Sequence, residues 1–181
     1  AGLAAAVLRF PVYGDGPFPV FDNFDTGAVG LINPCVVKGI GIFLELARRC
    51  PDLPFAAVPT WGTTAADRAA LAEMPNVEIL EPEADVDRIF ARCRVLLVPS
   101  LWGEAFGQVV VEAMLRGVPV LASDSGGLAE ATLGVGGVLP VRPIRRYEER
   151  FDERKIPVAV VPEQDSGPWE GALRELLGDR E

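Results

Sequence analysis

The stretch VLLVPSLWGEAFGQVVVEAMLRGVPVLASDSGGLAE, residues 95–130, decides the fold. Its first four residues are apolar without interruption, the pattern of a strand buried on both faces, and Pro99 ends the run. A short loop carrying Glu104 follows, and Gly107 opens a helical stretch, 107–116, that carries Glu112. Gly117 and Pro119 bring the chain into another apolar run at 118–122. Ser125-Gly126-Gly127 then forms a second glycine turn, loose enough for a ligand to approach its backbone, before a short helix. Strand, helix and strand joined this closely call for a parallel sheet with right-handed crossovers.

The same alternation extends outward in both directions. Strands are predicted at 29–32, 55–58, 77–80, 95–98, 118–122 and 137–141, and helices at 39–50, 64–72, 84–91, 107–116 and 127–133. In the first helix Ile42, Phe43, Leu46 and Ala47 form one apolar stripe. Thr63 or Thr64 can cap the second, with Asp67 in its first turn. The predicted fold class is α/β, a Rossmann-like doubly wound parallel sheet of about six strands. Ligands of such sheets bind beyond the carboxyl ends of the strands, near the point where strand order reverses.

The ends read differently. Residues 1–27, rich in Pro, Gly and aromatic residues, read as an extended arm or interdomain linker. Residues 28–181 form the folded domain, with a charged segment near 142–157 expected as a solvated loop or short helix, and an amphipathic helix at about 169–177.

Composition narrows the function. The net charge of −9 argues against nucleic acid, which requires a surplus of Lys and Arg along one surface, but not against a small anionic ligand. The chain contains no histidine, which removes Ser–His and Cys–His triads, the usual zinc sites and the commonest general base. Cys35, Cys50 and Cys93 are odd in number and sit in or beside apolar runs, so buried free thiols in a reducing compartment, the cytoplasm, are expected. No apolar stretch approaches the roughly 20 residues of a membrane span. The chain begins with Ala rather than Met, which suggests a piece of a longer protein.

Chemistry concentrates after the strand at 95–98. The free N–H groups at the start of the 107–116 helix, near 106–109, favour a diphosphate, and carboxylates such as Glu104 and Glu112 accept strong hydrogen bonds from hydroxyls. The plainer alternative is two solvated carboxylates around a helix start, where negative charge is favourable in any case. The glycines, the preceding strand and the Gly126-Gly127 turn together weigh against it. Asp85-Val-Asp87 has a metal-binding form, but its place at a helix start reads as capping, and no metal is predicted. Asp22-Asn-Phe-Asp25 reads as turn chemistry. Trp61 and Trp102 read first as core or interface residues, with stacking on a base or acceptor as the alternative.

These motifs resemble the carboxy-terminal domain of the family-four, retaining GT-B glycosyltransferases. The match lies in two glutamates with seven residues between them, Glu104-Ala-Phe-Gly and Glu112-Ala-Met, followed by Gly117-Val-Pro119-Val and Ser-Asp-Ser-Gly-Gly with Glu130, and runs from about residue 28 to 141. The resemblance implies one half of a GT-B fold that binds a nucleotide diphosphate sugar, UDP- or GDP-linked, and needs no cofactor. It implies that Glu104 contacts the donor sugar and Glu112 the ribose hydroxyls. Phe106, Gly107, Gln108 and Val109 then present amides to sugar and diphosphate, and Asn33, Gly126 and Gly127 join the donor site. Lys38-Gly39 matches the family's upstream Lys-Gly, which makes Lys38 the diphosphate ligand and, with Glu104, the catalytic pair. Many relatives carry an arginine about six residues before that lysine, where this chain has Leu-Ile-Asn33-Pro34, and a second lysine where it has Val58-Pro-Thr-Trp61-Gly. The resemblance also implies a missing amino-terminal acceptor domain, through which any peripheral membrane contact would run. Two alternatives stay open: a GT-B phosphorylase or epimerase, and a nucleotide-binding module without catalysis.

Overall fold

The structure, a computed structural model, describes residues 4, 6, 8 and 11–178. Six parallel strands form the central sheet: β1 (Ala28–Ile32), β2 (Phe55–Val58), β3 (Val77–Ile79), β4 (Cys93–Val98), β5 (Val120–Ser123) and β6 (Gly137–Leu139). Their spatial order is β3-β2-β1-β4-β5-β6, so the sheet is wound outward in both directions from β1 and β4. That order is the dinucleotide-fold arrangement, and its reversal falls between β1 and β4, where Val29 pairs with Val95 and Gly30 with Leu96. The expected α/β class and strand number are observed.

Alternate residues of the central strands feed two cores. Val29, Leu31, Val95 and Leu97 face one core with Phe43 and Leu46 of α1 (Ile40–Arg49) and Leu71 of α2 (Ala65–Ala72). Trp169 and Leu173 of α6 (Gly167–Gly178) close the same side. Leu96, Val98, Val120 and Ala122 face the other, with α3 (Val86–Phe90), α4 (Gln108–Met114) and α5 (Leu128–Ala131). Burial on both faces is why these strands are apolar throughout. The stripe anticipated in α1 is buried, and Thr64 with Asp67 forms a reciprocal capping box on α2, worth about 1 kcal/mol.

One segment differs from expectation. The charged stretch near 142–157, expected as a solvated loop or short helix, is loop over 142–146 and then enters an antiparallel hairpin, β7 (Tyr147–Phe151) with β8 (Pro157–Ala159). All five β7 residues are exposed, so no alternation of burial marked the strand in advance. Its turn is built by Asp152, whose Oδ1 accepts from Arg154 N at 2.9 Å and Ile156 N at 2.8 Å. The segment reaches over the strand ends: Ile144 N donates to Leu101 O at 2.7 Å, and Glu153 Oε1 accepts from Ala65 N at 3.0 Å.

The remaining loops behave as their residues suggested. Asp85 caps α3 by accepting from Asp87 N at 3.0 Å, and the Asp87 carboxylate pairs with buried Arg116, so both acidic groups are engaged in structure. Arg116 lies 4.8 Å from the Phe18 ring and 5.4 Å from Phe90, which ties the 11–23 segment to the turn after α4 and to α3. Asn23 turns the chain into β1 by accepting from Gly27 N at 2.7 Å. All three cysteines are buried and unbonded to one another; burial raises each thiol's pKa, that of Cys93 to about 12. No described helix is long and apolar enough to cross a membrane.

Candidate functional site

Two loops meet where the strand order reverses. The chain leaves β1 through Asn33 and a 3-10 turn (Val36–Lys38), and leaves β4 through Pro99, Ser100 and Trp102 to Glu104. Leu101 N donates to Val37 O at 2.9 Å, stitching the loops together. Gly39 makes the approach feasible: its φ is 79°, and a Cβ there would lie 2.1 Å from Pro99 O.

The product of this junction is an ion pair. Lys38 Nζ donates to Glu104 Oε1, and the two side chains are only 22% and 12% exposed. Ser100 Oγ donates to the same oxygen at 2.7 Å. Burial pushes the Glu104 carboxyl up, but the bonds from Lys38 and Ser100, the nearby Trp102 indole and the Lys38 charge outweigh it and hold the group below its ordinary value. The Trp102 N–H itself completes no hydrogen bond, while its ring lies 4.9 Å from Lys38 Nζ. Ser100 escaped the sequence reading, although its position just beyond a strand end was the signal that could have found it.

A cleft of about 280 Å³ opens beside the pair, lined by Lys38, Glu104, Phe106, Gly107, Gln108 and Val109. Gly107 precedes α4 with φ 96° and no side-chain cap, because a Cβ would lie 2.5 Å from Leu128 Cδ2. Phe106 packs partly into the core beneath, and Gln108 Nε2 donates to Pro11 O at 2.9 Å. Asn33 lines a second cavity of about 200 Å³ that shares Lys38, Val98 and Val109 with the first.

Two expectations take a different physical form. The approach that Gly126 and Gly127 permit is that of the Glu104 loop: Cβ atoms there would lie 2.3 Å from Glu104 O and 2.6 Å from Ala105 O. Gly127 N donates to Glu104 O at 2.8 Å, so this turn buttresses the carboxylate from behind. Glu112, one turn into α4, lines neither cleft; burial raises its carboxyl pKa, and nearby Arg116 only partly offsets that. A raised folded-state pKa means that stability falls as pH climbs through it from the unfolded value of 4.5. Glu112→Gln should therefore raise the melting temperature slightly at neutral pH and leave it unchanged well below 4.5, as pH-dependent thermal melts would show. Among the described residues no group of three or more Cys, Asp or Glu is placed to hold a metal ion.

A parallel sheet of this order, with a cation and a carboxylate at its reversal point and glycine turns behind them, defines a Rossmann-like domain with a ligand site at its switch point. The chain belongs to the glycosyl transferases group 1 family, whose model matches residues 24–148. It is 32% identical over 102 residues to the D-inositol 3-phosphate glycosyltransferase of Nocardia farcinica, covering 56% of this chain and 18% of that protein. It is 34% identical over 93 residues to an uncharacterized 42.6 kDa protein in the cps region of Klebsiella pneumoniae, covering 51% of this chain and 25% of that one. The chain thus spans a quarter or less of these relatives' length. Anabaena HepE, solved with UDP and glucose, superposes with a TM-score of 0.61 at 20% identity over 87% of this chain and 40% of its own. A Rickettsia africae glycosyltransferase gives 0.61 at 13% identity, over 85% of this chain and 38% of its own.

Proposed function

We propose that this chain is the nucleotide-sugar-binding, carboxy-terminal half of a retaining, family-four glycosyltransferase that acts in the cytoplasm with an amino-terminal acceptor domain. The observation that carries the reading is the Lys38–Glu104 pair, held between the loops after β1 and β4. Family membership supports it, as does the HepE neighbour solved with UDP-glucose. In this reading the bond between the sugar's anomeric carbon and the diphosphate oxygen breaks, and an acceptor hydroxyl bonds to that carbon on the same face and passes its proton to the departing diphosphate oxygen. Lys38 and the amides of Phe106, Gly107, Gln108 and Val109 meet the negative charge left on the diphosphate, an electrostatic role that calls on no metal or cofactor. Glu104 accepts from the sugar, Glu112 accepts from a ribose that extends along α4 beyond the cleft, and Gly126 and Gly127 hold the Glu104 loop in place.

Calorimetric titration with UDP, GDP and ADP tests the reading. One nucleotide should bind saturably, and Glu112→Ala should weaken it at least about tenfold, the loss of a charge-assisted hydrogen bond. Absence of binding at millimolar nucleotide, or binding indifferent to the substitution, would overturn it.

A further inference from the structure

Asn33, one of the residues lining the second cavity, carries a buried donor without a partner. Asn33 leaves β1 in a left-handed conformation, φ 60°, and is 4% exposed. Its Oδ1 accepts from Gly62 N at 2.9 Å, which fixes the oxygen end of the carboxamide, and its backbone N–H donates to Val58 O at 2.9 Å. Nδ2 is buried with no hydrogen-bond partner. Such a group is costly to bury unpaired, so its retention here points to an acceptor supplied by a ligand.

The surroundings say what kind of acceptor. Apart from Asn33, the cavity's polar lining is Thr60, Ser100 and Lys38, and the ends of β1 and β4 give it aliphatic walls. Lys38, the one basic residue among the described residues lining it, also lines the adjoining cleft, where the reading above puts it on the diphosphate. A further phosphoryl group would enter those walls with no second cation to meet it, whereas a neutral hydroxyl needs only the amide donor. Trp61 lines the cavity too; it is 56% exposed and lies 6.3 Å from the Trp102 ring, offering an aromatic surface to the C–H face of a sugar ring. Resting on the donor-binding reading above, we infer that Asn33 is a specificity-determining contact. Its Nδ2 donates to a hydroxyl of the transferred sugar, while Lys38 serves the diphosphate in the adjoining cleft.

The test compares the wild-type chain, Asn33→Gly and Lys38→Met, each titrated with UDP, UDP-glucose, GDP and GDP-mannose. Glycine accepts a φ of 60° without strain, and a thermal melt confirms that the variant folds. Asn33→Gly should weaken the sugar nucleotide about tenfold and leave the matching diphosphate within about twofold, whereas Lys38→Met should weaken both. Equal losses for diphosphate and sugar nucleotide in Asn33→Gly would place the amide on the diphosphate and overturn the inference, as would unchanged affinity for every ligand. Failure of the wild-type chain to bind any of the four would instead remove the donor-site reading beneath it.

Discussion

Gly39→Ala is expected to lower the melting temperature of this chain by roughly 10 °C and to abolish nucleotide binding with it. Two effects act together. A side chain at φ 79° forces an L-residue into the left-handed region, at about 1–2 kcal/mol. The added Cβ also meets Pro99 O at 2.1 Å, and overpacking of this kind costs about 1–3 kcal/mol more. Against a total stability of about 5–15 kcal/mol, the sum is large. Because the obstructing atom is backbone, relief requires the loops after β1 and β4 to separate, and that separation pulls Lys38 from Glu104. Gly41 provides the control two residues on. It is helical and exposed, with nothing within 4 Å of a Cβ, so Gly41→Ala should stabilise by about 0.5–1 kcal/mol and leave binding intact. Scanning calorimetry on both variants decides the matter: similar small shifts would mean that the loops are not held together by steric fit at Gly39.

That pair of glycines marks how much could be read from sequence. The strands with unbroken apolar runs were placed closely: 55–58 was predicted and Phe55–Val58 found, 95–98 predicted and Cys93–Val98 found. The exposed hairpin was invisible because Tyr147–Phe151 buries no face, so hydrophobic periodicity, the main signal of a strand, is absent there. At the site, the resemblance supplied roles for Lys38 and Glu104, while their direct pairing depends on two loops 66 positions apart meeting over Gly39. Gly126 and Gly127 show the converse. A glycine turn announces close approach, but only the structure shows that the approaching group is the Glu104 backbone.

Lys38→Met is expected to weaken nucleoside diphosphate binding by roughly two orders of magnitude. Lys38 is the only basic side chain among the described residues lining the two clefts, so nothing nearby replaces its charge-assisted bond. Under the proposed function, transfer by a full-length protein carrying this chain should fall about 10²- to 10³-fold, the scale of losing one donor to the departing charge. The same substitution should also reverse a pH dependence in the chain itself. In the wild type the Glu104 carboxyl is held below its ordinary value, so its contribution to stability is present above the unfolded value of 4.5 and is lost as pH falls through the folded one. Methionine leaves burial in place and removes both the Lys38 hydrogen bond and its charge, so the carboxyl should move above 4.5. Stability of the variant would then decline as pH rises through that new value, and its deficit relative to wild type would be small in acid and widest near neutrality. Thermal melts across this range, with Lys38→Met combined with Glu104→Gln, isolate the effect: the double variant should lose the added pH dependence and recover part of the deficit. A deficit equal at all pH values would mean that the pair contributes packing alone, and would remove the electrostatic basis for placing the diphosphate beside it.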